Sequence, residues 1–130
     1  MQLPIIKAKG HGHKYRFVGR EKGYHGMNLG GMSVGGMINN VKTFASVLMP
    51  GVLHMRHTML PEHKFVKGQP DTGAELADDL ERFVQTLVEK YCSLYVEPIQ
   101  VRWNYYSSKG YLQRLRKICD NHGILLILMK

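Results

Sequence analysis

Cys92-Ser93-Leu94-Tyr95-Val96-Glu97-Pro98, then Gly110-Tyr111-Leu112-Gln113-Arg114-Leu115-Arg116-Lys117-Ile118-Cys119-Asp120-Asn121, then Gly123-Ile124-Leu125-Leu126-Ile127-Leu128, is the stretch that decides the fold. Two short, nearly unbroken apolar runs flank a segment in which Tyr111, Leu115, Ile118 and Cys119 recur at helical spacing. That spacing predicts a helix over Gly110 to Asn121, with Gly123 as its carboxyl-terminal cap. Strands covered on both faces lose the in-out alternation of half-exposed strands, so runs of this kind indicate a parallel sheet clothed by helices. Pro98 has no N–H to give a ladder and ends the first run after Val96.

Working upstream, Leu76, Leu80, Phe83, Val84, Leu87 and Val88 repeat at helical spacing behind a Thr72-x-x-Glu75 capping box, which predicts a helix from about 72 to 90. Helix, strand, helix, strand is the order of an α/β fold. Tyr15 to Val18 reads as a further strand, and Val52 to Thr58 as a short one after the Pro50-Gly51 turn. Between them Gly26-Met27-Asn28-Leu29-Gly30, Gly31-Met32-Ser33-Val34-Gly35 and Gly36-Met37 repeat every five residues, a period of neither helix nor strand. Such glycine density signals tight turns or close backbone approach, to packed protein or to a ligand, with the methionines filling irregular gaps. In open α/β sheets ligands sit beyond the carboxyl ends of the strands, which places function in the loops after Val18, Val96 and Leu128.

Composition narrows the classes further. A chain of 130 residues, 44% hydrophobic and carrying a net charge of +8, is an ordinary but basic globular domain and not a disordered one. Its longest apolar run, Ile124 to Met129, falls short of the ~20 residues of a membrane-spanning helix. Met1 to Lys7 has no secretory pattern, so a cytoplasmic location is expected. Cys92 and Cys119 form no metal-type spacing and are expected to be reduced core residues.

The chemistry-bearing residues separate unequally. His11-Gly12-His13 and His54-Met55-Arg56-His57 bring imidazoles together, but without a third ligand on a defined scaffold and with a cation inside the second pair, so no metal is expected. Serine-elbow, Gly-x-Gly-x-x-Gly and Walker spacings are absent. Lys7, Lys9, Lys14, Arg16, Arg20 and Lys22, interleaved with Tyr15, Phe17 and Tyr24, suit nucleic acid by charge alone, against the plainer reading of a solvated face. More specific are Tyr24-His25-Gly26 and Val96-Glu97-Pro98, each following a predicted strand. An aromatic there can stack on a flat cofactor and a carboxylate can orient it, the alternatives being a core tyrosine and a capping glutamate.

The run from Phe17 to Met37, with Tyr24-His25-Gly26 inside it, resembles the class III pyridoxal-phosphate aminotransferases, in particular their omega-amino-acid:pyruvate (β-alanine:pyruvate) branch. The resemblance continues through Pro50 to Thr58, Gly68-Gln69-Pro70, Leu76 to Arg82, Val96-Glu97-Pro98 and Lys109 to Ile127. It implies an α/β fold that is an incomplete slice of the fold-type I large domain, with residues 1–130 a partial cofactor-binding domain and the amino-terminal segment and small carboxyl-terminal domain absent. It implies pyridoxal phosphate as cofactor, Tyr24 stacking on its ring, His25 and Gly26 completing that loop, and Glu97 close by. It also implies an amine and pyruvate as substrates of the parent family, and a homodimer or an intact homologous subunit as partner; no membrane partner is expected, and nucleic acid is the lesser alternative.

Departures from the family pattern bear on activity. Met129 and Lys130 stand where the family has an Asp-Glu pair whose aspartate holds the pyridine nitrogen, and no lysine matches the Schiff-base lysine, which lies downstream in the family. The turn between Ile99 and Ser108 also differs. The expectation is therefore a chain that does not transaminate alone, with an associating remnant or, behind it, a basic nucleic-acid module as alternatives. Ile124 to Met129, strongly apolar, is further expected to make the chain poorly soluble or oligomeric.

Overall fold

A computed structural model describes residues 7–63, 67–86, 90–100 and 105–129. Leu87, Val88, Trp103, Asn104 and Lys130 lie outside the described residues, as does the side chain of Cys92. In chain order the elements are β1 (Arg16–Glu21), α1 (Leu29–Val34), β2 (Gly35–Gly36), α2 (Ile38–Thr43), β3 (Leu53–Met55), α3 (Asp78–Thr86), β4 (Tyr91–Val96), β5 (Ile99–Gln100), β6 (Tyr105–Tyr106), α4 (Tyr111–His122) and β7 (Leu125–Leu128). Short 3₁₀ turns span Pro61–His63 and Ala74–Ala77.

The strands β2, β1, β4 and β7 lie side by side in that order, and β3 also pairs with β1. Every pairing in this sheet is parallel, as the unbroken apolar runs required. β5 and β6 form a separate antiparallel pair, Ile99 opposite Tyr106 and Gln100 opposite Tyr105. The core joins Val18, Leu94 and Val96 of the sheet to Leu76, Ala77, Leu80 and Val84 and to Tyr111, Leu115, Ile118 and Cys119. All four inward positions expected of the last helix are thus buried, and Gly123 caps it at φ +60°. Removing a side chain such as Leu94, fully buried in β4, costs about 2–5 kcal/mol, a large share of the roughly 5–15 kcal/mol that holds a domain together.

Three expectations need correction. The helix expected over 72–90 begins as the 3₁₀ turn Ala74–Ala77 behind Gly73 at φ +106°, and becomes α-helical only at Asp78. Its capping box does not form because the Thr72 hydroxyl lies 2.7 Å from Nε2 of buried His63. The first strand does not stop at Val18 but runs on to Glu21, since Gly19 lets β1 lie against the Val34 carbonyl, where a Cβ would stand 1.9 Å away. The five-residue repeat contains a helix after all: Asn28 accepts from the Gly31 N–H at 2.7 Å and starts α1. Its glycines serve close backbone approach, a Cβ on Gly31 falling 2.2 Å from the His25 carbonyl oxygen and one on Gly36 2.2 Å from that of Arg20.

The sheet ends in β7, where Leu125 is 38% and Leu128 51% exposed, so its outer edge presents apolar side chains along a row of backbone hydrogen-bonding groups. Self-association through this edge is expected, and Leu128→Lys should shift sedimentation toward smaller species while moving the unfolding midpoint by under about 0.5 kcal/mol of stability.

Candidate functional site

From β1 the sheet extends to β3 on one side and to β4 and then β7 on the other, Val18 pairing with Leu53 and with Leu94. The carboxyl ends of β1 and β4 therefore flank the point where strand order reverses, the place at which an open parallel sheet leaves a crevice. Tyr24 follows β1 and Glu97 follows β4, and the Tyr24 N–H donates to Glu97 Oε1 at 2.9 Å. The Tyr24 ring is 49% exposed, while Glu97 is buried. Tyr24, His25 and Gly26 line a small cleft with Gly31, Met32 and Asn40. Four positions singled out from sequence, Tyr24, His25, Gly26 and Glu97, thus come together.

Glycine makes the loop possible. Gly26 has φ +95°, a conformation that L side chains resist, and a Cβ on Gly23 would stand 2.9 Å from the Arg20 carbonyl oxygen. Beneath the loop lies Arg20, 1% exposed, its Nη2 donating to the Glu97 carbonyl at 2.8 Å and its Nη1 to Ser107 Oγ at 3.2 Å. Burial pushes the Glu97 carboxyl above the ordinary glutamate value, opposed by the Tyr24 N–H and by the Arg20 charge.

The basic amino-terminal segment is a solvated face only in part: Lys7, Lys9 and Lys22 are exposed, whereas Lys14 and Arg20 are buried. Lys14 is buried, its Nζ donating to the carbonyls of His122 at 2.5 Å and Gly123 at 3.2 Å, a cation placed at the carboxyl end of α4. With Arg20 also inside, the charge available to phosphates is smaller than the sequence suggests. Arg56, which separates His54 from His57, is held by Asp79 through its backbone N–H at 2.9 Å and through Nε and Nη2. Among the described residues no three His, Cys, Asp or Glu side chains are grouped to hold a metal. Burial pushes the Cys119 thiol up to about 11, so it is a packed side chain and not a nucleophile, and His122 turns to Glu81 at 3.0 Å. No helix among the described residues is long and apolar enough to cross a membrane.

Reading the sequence missed Arg20, Ser107 and Tyr111 as parts of the site. The available signal was an arginine between Gly19 and Glu21 just before the tyrosine loop, in a strand that the apolar pattern ended too early.

An exposed aromatic on one strand end and a buried carboxylate on the next thus stand where open parallel sheets generally take their ligands. The family described as aminotransferase class III matches residues 3–128, and the chain belongs to that family. It is 49% identical over 128 residues to an omega-aminotransferase of Caulobacter vibrioides, covering 96% of this chain and 29% of that protein. It is 39% identical over 124 residues to a beta-alanine--pyruvate aminotransferase of Pseudomonas aeruginosa, covering 93% of this chain and 27% of that one. A thermostable omega transaminase mutant from Pseudomonas jessenii superposes with a TM-score of 0.82 at 25% identity, over 97% of this chain and 28% of that structure. The chain thus spans less than a third of the length of these relatives.

The His25 ring is half-buried, lies 6.0 Å from the Tyr95 ring, and neither of its nitrogens has a hydrogen-bond partner. Burial, aided by Arg20 and His54, lowers its pKa from 6.5 to about 4. The unfolded chain therefore takes up a proton between about pH 6.5 and 4 that the folded chain refuses, and stability falls as pH drops through that window. We expect a loss of about 1–2 kcal/mol, solvent screening of the partly exposed ring keeping it below the full linkage. Denaturant unfolding at the two ends of the window should show this loss, and His25→Phe should remove most of it.

Proposed function

We propose that this chain forms the ring-binding part of a pyridoxal-phosphate-dependent transaminase acting between an ω-amino acid or amine and pyruvate. The observation that carries the reading is the Tyr24 to Glu97 hydrogen bond at the strand switch point, which fixes an exposed aromatic face over the crevice. The identity to an omega-aminotransferase and a beta-alanine--pyruvate aminotransferase supports the substrate class. The residues present suit a flat cofactor: the half-exposed Tyr24 ring offers a stacking face, and the glycines at 23, 26 and 31 keep side chains out of the loop beside it.

When bound, pyridoxal phosphate supplies an electron sink for charge developing beside the amino group. Tyr24 would hold the ring by its face, and Gly26 would let the loop turn close against it. Glu97 fixes the Tyr24 backbone through Oε1, and Arg20 keeps a cation beneath that carboxylate. Met129 follows β7 and its N–H donates to the Val96 carbonyl at 2.9 Å, so it stands one strand from Glu97. A thioether there cannot hold a protonated pyridine nitrogen as an aspartate would. We accordingly read the 130-residue polypeptide as inactive alone, its chemistry completed by residues of a homologous subunit.

The test is visible circular dichroism of the pure chain titrated with pyridoxal phosphate. An induced band is expected, because a ring held in one orientation becomes optically active while random adducts on surface lysines do not. Tyr24→Ala should weaken binding about five- to tenfold, the worth of one aromatic stack. No band, or a band indifferent to Tyr24→Ala, would overturn the cofactor reading. Alanine formed from β-alanine and pyruvate by the pure chain would overturn the inactivity reading alone.

A further inference from the structure

We propose that Arg20 is a positioning residue, which acts through Glu97 to hold the Tyr24 loop in place over the crevice. The inference rests on the reading of Tyr24 as the ring platform, but its geometry stands independently of any ligand.

A guanidinium has no neutral form in a protein, so one that is 1% exposed must be supplied with acceptors or its burial costs several kcal/mol. Arg20 finds them on two sides for Nη1 and Nη2, while its Nε has none. Nη2 reaches the Glu97 carbonyl at 2.8 Å and Nη1 reaches Ser107 Oγ at 3.2 Å. Its charge lies 3.9 Å from Glu97 Oε2 and 5.9 Å from the centroid of the buried Tyr111 ring, at the start of α4. One cation on β1 thereby ties together the end of β4, the segment after β6 and the first turn of α4.

Glu97 passes this fixation on. Its two carboxylate oxygens are divided, Oε2 toward Arg20 and Oε1 accepting the Tyr24 N–H. Residues just before Tyr24 are anchored otherwise: the Lys22 N–H donates to Gly36 O, the Gly36 N–H to Gly23 O, and the Gly23 N–H to Arg20 O. Tyr24 is the first residue of the loop held by a side chain, and that side chain is a buried carboxylate with the Arg20 cation 3.9 Å from its other oxygen. Without Arg20, Glu97 loses the cation 3.9 Å from Oε2, and its carboxyl is easier to protonate, which weakens it as the acceptor for Tyr24.

Amide hydrogen exchange of the full 130-residue chain, followed by NMR without any ligand, tests this. The ratio of Tyr24 exchange to that of Leu94, at the centre of the sheet, separates local loosening from general loss of stability. Arg20→Met should raise that ratio about tenfold. Arg20→Lys should raise it less, since a single ammonium keeps the charge but cannot fork to Glu97 O and Ser107 Oγ together. The Tyr24 amide-proton shift should also titrate with Glu97, its midpoint moving up in Arg20→Met. An unchanged ratio in a folded Arg20→Met chain overturns the proposal, even if the protein is less stable throughout. Should that variant not fold, Ser107→Ala decides: it leaves the cation and removes one anchor, and a rise of about threefold supports the proposal whereas no rise overturns it. Absence of the induced dichroism band in the unaltered chain would sink the cofactor reading and leave this measurement untouched.

Discussion

A positive charge taken out of water between two strands is the constraint on which the rest of this structure turns. Arg20 is interior to a sheet whose other central members are Val18, Leu94 and Val96, and it is tolerable there only because β4 ends where its guanidinium needs a carbonyl and a carboxylate. That requirement fixes more than one bond. It sets how far β4 runs before turning at Glu97, and where Ser107 and the start of α4 must lie relative to β1. Apolar packing alone would permit small shifts of these elements against one another. Directional hydrogen bonds to a fork of fixed geometry do not.

The same logic explains what could be read from the sequence. Parallel strands and a late helix were legible because Leu94, Val96, Leu115 and Ile118 announce burial through their side chains, and the loops after the strand ends followed from the architecture. Tyr24, His25, Gly26 and Glu97 were found in that way and through their resemblance to one family. Arg20 and Lys14 were not, because a cation advertises solvent, and only three-dimensional placement shows that its charge is matched by carbonyls far along the chain. Thr72 and Glu75 misled for the opposite reason: a correct local motif lost its hydroxyl to His63, a contact that spacing along the chain does not encode.

Membership of the class III aminotransferases gives the crevice a context, the chain matching under a third of the length of its relatives. What it presents at the crevice is a half-exposed tyrosine whose backbone is fixed by a buried carboxylate. Its described residues emphasise rigidity: glycines packed so tightly that a methyl group would collide with backbone, a carboxylate set between a donated N–H and a buried cation, and a helix end closed by a buried lysine. These are devices for holding backbone in one orientation.

The parallel pairing of β1 with β4 has a consequence during synthesis. Phe17 lies opposite Ser93, roughly seventy residues later, so β1 leaves the ribosome long before its neighbour exists. At typical translation rates of about 5–20 residues per second, several seconds pass in which Arg20 must remain hydrated and the Tyr24 loop has no anchor. The crevice is consequently assembled only once β4 delivers Glu97, and a nascent chain arrested before that residue would have the Tyr24 loop in its sequence but not its anchor in space.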